Sequence, residues 1–109
     1  MANKFINAQF NLTTTNPVAV YTCPAETVAM IKSIQSYNSS SGTVSVTASI
    51  TDNSASATYN FSKRTLGAGT SSDLLTGVKV FEENDILNLT SSYTGVVTGT
   101  VAILEQDRK

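Results

Sequence analysis

The chain has 109 residues, 40% of them hydrophobic and 14% charged, and a formal net charge of -1. That length suits one domain with a core of its own, and the near-neutral balance leaves no basic footprint for nucleic acid. Low charge beside ample hydrophobicity also excludes a disordered chain, while the wealth of Thr, Ser and Val suits half-buried pleated surfaces.

In chain order, "KFINAQFNLT" alternates Ile6, Ala8, Phe10 and Leu12 against Asn7, Gln9 and Asn11, the period of a strand. "NPVAVYT" opens on Pro17, which suits a strand start. The stretch "PAETVAMIKSIQSY", residues 24–37, is ambiguous. Pro24 suits the first turn of a helix, and Val28, Ile31 and Ile34 recur at helical spacing. A strand with a change of face, such as a bulge gives, fits the same residues. Periodicity leaves both open, and the hairpin that follows needs a partner, which favours the strand.

That hairpin is the clearest element. Val44, Val46, Ala48 and Ile50 alternate with Thr43, Ser45, Thr47 and Ser49; after Asp52-Asn53-Ser54, Ala57, Tyr59 and Phe61 form a second apolar series. "LGAGTSSD" has two glycines but no phosphate-loop lysine, and reads as a long flexible connection. "GVKVFEE" carries Val78 and Val80, "DILNLTSS" carries Leu87 and Leu89, and "GVVTGTVAILEQ" places Val97, Val101 and Ile103 on one face. Short strands punctuated by turn signals predict an all-β fold: one antiparallel β-sandwich, jelly-roll or Ig-like, of about eight strands.

No catalytic set emerges. The chain has no histidine, so the usual general base and commonest metal ligand are missing, and no enzyme activity and no cofactor are expected. The lone Cys23 reads as a buried, inert thiol. Glu82, Glu83 and Asp85 have the oxygens for a divalent cation, but their place between two strands reads as a solvated acidic turn. Lys63-Arg64 reads as a turn charge and Arg108-Lys109 as a solvated tail. The sequons at Asn11, Asn38, Asn60 and Asn88 are expected by chance in so Asn- and Ser-rich a chain. Tyr59 is expected in the core, and Tyr93, in a turn, is the tyrosine expected to be exposed; it is the one candidate for stacking a sugar. "MANKFINAQF" is too polar for a signal peptide, and no run of about 18 apolar residues offers a membrane span, so no membrane partner is expected.

Tyr21-Thr22-Cys23-Pro24-Ala25, then Ile31-Lys32-Ser33-Ile34, then the Asn38-Ser39-Ser40 loop before an alternating hairpin, carry a resemblance. Together with "LLTGVKVFEENDILNLTSS", these pieces cover about two-thirds of the chain. The sequence resembles a broad group of small virion structural proteins of tailed bacteriophages, including those of marine cyanophages. Glu26 departs from the pattern, standing where a Gly or similar turn residue is expected. The resemblance implies that residues 24–37 form a strand entered through a Pro-Ala turn. It also implies a structural place in a virion after synthesis in the host cytoplasm.

From it follows, first, a capsid decoration (cement) protein, with a neck, tail or fibre-attachment protein as the alternative; Tyr93 and the polar loops motivate a third reading of a different class, a carbohydrate-binding adhesion module. The expected partners are the major capsid protein, or neck and tail proteins, and further copies of the chain, a trimer being common in the group. Residues 1–16 are expected to form an extended N-terminal arm, with Phe5, Ile6, Phe10, Leu12 and Tyr93 as interaction residues.

Overall fold

The computed structural model describes residues 3–75 and 77–107, and these form nine strands and no helix. They are β1 (Asn3–Leu12), β2 (Val18–Thr22), β3 (Thr27–Asn38), β4 (Val44–Asp52), β5 (Ala57–Leu66), β6 (Ser71–Asp73), β7 (Lys79–Phe81), β8 (Ile86–Ser91) and β9 (Val97–Asp107). One sheet runs β1-β9-β3-β6, with β7 also on β3; the other runs β2-β8-β4-β5. Every pairing is antiparallel. Interleaving the two ends of the chain in this way gives the strand order of a double Greek-key jelly roll.

Residues 27–38 are the central strand β3, and a bulge explains their helical look. Pairing with β9 slips between Ile31 and Ser33. Ala29 and Ile31 point into the core before the slip, and Ile34, Ser36 and Asn38 after it. An unbroken strand would put Ile31 and Ile34 on opposite faces. The turn before β3 holds Glu26 at φ 57°, a left-handed conformation that favours glycine, which accounts for the Gly expected there.

The core lies between the sheets. Leu12, Ile31, Ile34, Val101 and Ile103 meet Val46, Leu66, Leu87 and Leu89, and Phe81 on β7 closes one side. Gly99 lies in β9 between Phe10 of β1 and Ser36 of β3. A Cβ there would stand 2.0 Å from the Gln35 carbonyl oxygen and 2.6 Å from Phe10 Cζ. Phe10 thus fills the space the glycine leaves, and only a hydrogen fits against the Gln35 carbonyl.

Buried polar groups tie the sandwich at its ends. Asn38 has no exposed surface. Its Nδ2 donates to the carbonyl oxygens of Gly42, Leu66 and Gly67 at 2.7, 3.1 and 3.2 Å, and Oδ1 accepts from the Ser40 amide and hydroxyl at 2.9 and 2.7 Å. At the opposite ends of these strands, buried Asp85 accepts from the Asn53 and Glu82 amides at 3.0 and 2.9 Å.

Three expectations are corrected here. Residues 3–12 are a sheet strand, not an extended arm: β1 pairs with β9 residue for residue from Asn3↔Gln106 to Leu12↔Val97. Phe10 and Leu12 are buried, and exposing both would cost about 3–6 kcal/mol, beyond the lost ladder. Residues 1 and 2 of the expected arm, like the Arg108-Lys109 tail, lie outside the described residues. Second, the connection after Leu66 contains β6, pairing Ser71–Asp73 with Tyr37–Gln35. No alternation announces this strand; the open edge of β3 imposes it. Third, Asp85 is not solvated, because its carboxylate is needed to hold two turn amides.

Candidate interaction surface

Antiparallel register places directly opposed residues on the same face. On the outer face of the β1-containing sheet, Phe5 opposes Leu104, Leu104 opposes Met30, and Met30 opposes Val80. The result is one apolar row across β1, β9, β3 and β7, about 14 Å long at the usual strand spacing. Both ends are open to solvent, Phe5 at 76% and Val80 at 58% exposure, with Val78, just before β7, at 52%. An exposed contiguous apolar patch on a sheet face is the mark of an interaction site, unlike a scattered single residue.

The neighbouring rows are mainly polar: Asn3-Gln106-Val28 on one side, and Asn7-Ala102-Ser33, Gln9-Thr100-Gln35 and Asn11-Thr98-Tyr37 on the other, with exposed Lys32 at the bulge as a charge beside them. Their side chains engage one another. Gln9 donates to Asn7 Oδ1 at 2.8 Å and to Thr100 Oγ1 at 3.5 Å, and Gln35 donates to Ser71 Oγ at 3.3 Å. The face therefore combines a greasy bar with an amide and hydroxyl field. Short hydroxyl side chains and amides already bonded to one another lose little freedom against a partner.

The expected interaction residues divide accordingly. Phe5 is on the row; Ile6 is half-buried on the inner face; Phe10 and Leu12 are core residues and unavailable to a partner. Tyr93 is 60% exposed and borders a shallow groove with Ser40, Ser41, Gly42, Thr43 and Val44. The groove's Ser40 hydroxyl is already taken up by Asn38 and Gly42.

Tyr93 is not alone in its exposure: Tyr37 and Tyr59 are exposed too. Tyr59 was expected in the core because it shares the alternation of Ala57 and Phe61. It opposes Ile50 near the tip of the β4–β5 hairpin, past a register slip at Ala48/Ser49 that breaks the alternation. The row formed by Leu104, Met30 and Val80 escaped the sequence reading because nothing local links them, although Val80 itself reads as part of a strand. The signal available was an apolar residue at a position whose strand neighbours face the core.

Elsewhere several titratable groups are occupied internally. Glu83 accepts from the Glu26 amide at 2.8 Å, and among the described residues no cluster of His, Cys, Asp or Glu is arranged to hold a metal. The Tyr21 hydroxyl donates to Glu105 at 2.5 Å, joining the two sheets. Burial, and then that carboxylate, push the Tyr21 phenol well above its ordinary range, so it stays neutral as a donor. Cys23 has no exposed surface, and burial followed by the Glu105 charge pushes its thiol up to about 11. A thiol so far above neutrality is a poor nucleophile, in keeping with the inert role expected of it.

No family model matches the chain, and no curated protein matches it. Solved structures do share its fold. The capsid structure of Helicobacter pylori bacteriophage KHP30 aligns with 100% of this chain and 90% of its own, at TM-score 0.62 and 13% identity. A chain from Bacillus endospore appendages, described as a novel family of disulfide-linked pili, aligns over 95% of this chain and 84% of its own, at TM-score 0.57 and 10% identity. One from infectious bursal disease virus, Gx strain, aligns over 96% of this chain at TM-score 0.52 and 13% identity, this fold spanning 33% of that longer chain. At such identities the likeness is one of fold.

Proposed function

We propose that this protein is a structural component of a tailed-bacteriophage virion, a decoration protein that docks on the capsid shell through the outer face of the β1-β9-β3-β7 sheet. The observation that carries the reading is the Phe5-Leu104-Met30-Val80 row, a solvent-facing apolar bar on a mainly polar face. The sequence resemblance to phage virion proteins and the fold shared with a phage capsid structure support the setting. The partner is the major capsid protein. Covering the bar removes apolar surface from water, and each docked copy stabilises the assembled shell by mass action.

The test is co-sedimentation with shells of the major capsid protein encoded alongside this chain. Phe5→Ser with Val80→Ser removes both exposed ends of the bar without touching the core. We expect an unchanged fold and a loss of about 3 kcal/mol, roughly 100-fold in affinity. Equal binding by wild type and double variant would refute the docking face. Purified particles should carry many copies, one set for each symmetric shell position. A few copies at a single vertex would instead establish a neck or tail part.

A further inference from the structure

We infer that the free edge of β1 is a pairing edge, and that its occupant is the β1 edge of a second copy of this chain, antiparallel about a two-fold axis through Asn7. Natural sheets guard their edges with short strands, charges, prolines, bulges or cover. Three of the four edges formed by the described residues follow this rule. β6 and β7 are three residues each. β2 is five residues with a register slip at Ala19/Tyr21, just after Pro17. β5 pairs through a slip, carries Lys63 and Arg64, and lies under the chain at Leu74, whose carbonyl accepts from the Ser62 hydroxyl. β1 is the least guarded: ten residues, no slip, no proline, and Lys4 as its single charge.

The backbone groups on that edge can be identified. Ile34 directs its amide to Asp73 Oδ1 at 3.1 Å and its carbonyl to the Leu74 amide at 2.9 Å, away from β9. Its partner Val101 therefore turns its own groups toward β1, where Ala8 receives them. Along an antiparallel strand these directions alternate, so Asn3, Phe5, Asn7, Gln9 and Asn11 point their N–H and C=O outward. Those five also carry the outer-face side chains.

About a two-fold on Asn7, Asn7 meets its own counterpart, Phe5 meets Gln9, and Asn3 meets Asn11. All of these are outward-pointing residues able to exchange both backbone bonds. Amide side chains face amides, half-buried Ile6 meets Ala8 on the inner face, and no charge opposes a like charge. The two Lys4 side chains sit six residues apart along the joined edge, about 20 Å, whereas a parallel pairing would set them side by side. The edge is thus its own complement.

The consequence deepens the capsid-docking reading, on which this part rests. A two-fold perpendicular to the joined sheet keeps both outer faces on one side. The dimer presents two apolar bars to the same surface, and the second docks at high effective concentration once the first has bound.

The experiment is sedimentation velocity on the full chain over a dilution series, with amide exchange read at Phe5, Asn7 and Gln9. We expect a species of twice the 11.5 kDa chain mass and protection of those amides that rises with concentration. Asn7→Lys sets two charges face to face and should halve the mass while leaving the melting temperature of the monomer unchanged. An equimolar mixture of Asn7→Lys and Asn7→Asp should recover the dimer. A monomer at every concentration, a trimer, or a dimer indifferent to Asn7→Lys overturns the pairing. A monomer that still binds shells would refute the pairing and spare the docking face; a dimer that binds no shell would do the reverse.

Discussion

Asn38 concentrates more of the tertiary structure than any other polar side chain described, and Asn38→Ala should remove it all at once. The bond to the Leu66 carbonyl is buried, and losing that donor costs about 1–3 kcal/mol. The carbonyls of Gly42 and Gly67 and the Ser40 groups lie where water can reach them, so each of those losses is nearer 0.5–1 kcal/mol. Together they come to about 3–7 kcal/mol, a large fraction of the stability of a small domain, and should lower Tm by at least about 12 °C.

Asn38→Asp sharpens the test, because it keeps the acceptor but points a carboxylate at carbonyl oxygens. It should be worse than Ala at neutral pH. Its carboxyl pKa is raised in the folded state, so the folded protein holds the proton more tightly than the unfolded chain. That contribution is present at low pH and is lost as pH rises through the folded pKa. Urea melts at neutral pH and near pH 4 should therefore show the Asp deficit shrinking on acidification relative to wild type. If both variants lie within 1 kcal/mol of wild type, or the Asp deficit ignores pH, the Asn38 clasp is not what joins β3 to the hairpin.

Gly99→Ala puts a methyl group into the Gln35 carbonyl, so β3 and β9 must part; we expect a loss of about 3 kcal/mol or more, and a Tm close to wild type would contradict the close approach of these strands. The thiol of Cys23 is raised from its ordinary 9.0 to about 11, so between those values the unfolded chain binds fewer protons than the folded one. Stability should fall as pH rises through that window, by at most about 2–3 kcal/mol, and Cys23→Ala should flatten the fall in alkaline urea melts. A variant with the same alkaline slope as wild type would assign the loss to other groups.

Much of this fold is written locally. Alternation over residues 43–62 is enough to give the β4–β5 hairpin, because one face is apolar and the other polar in the residues themselves. The same is true of β1, β8 and β9, and the lack of histidine removes the commonest catalytic base wherever the chain folds. What sequence could not supply is register. The bulge at Lys32 that puts both Ile31 and Ile34 in the core is a property of the β3–β9 pairing, and only that pairing decides between helix and strand at residues 24–37. Tyr59 follows the apolar alternation in sequence and is still exposed, because it lies past the β4–β5 register slip near the hairpin tip.

The outer face makes the same point for function. Phe5, Met30, Val80 and Leu104 come from distant parts of the chain, and each is unremarkable in its own strand. Side-chain period and turn chemistry are short-range, so the residues alone announced β1, β4, β5, β8 and β9 and the all-β class, but neither β6 nor the state of residues 24–37. Opposition across strands depends on which edges meet and in what register, and that was decided by burial of the shared core. The tertiary structure therefore turned an expected arm into a sheet edge and assembled the apolar bar beside it.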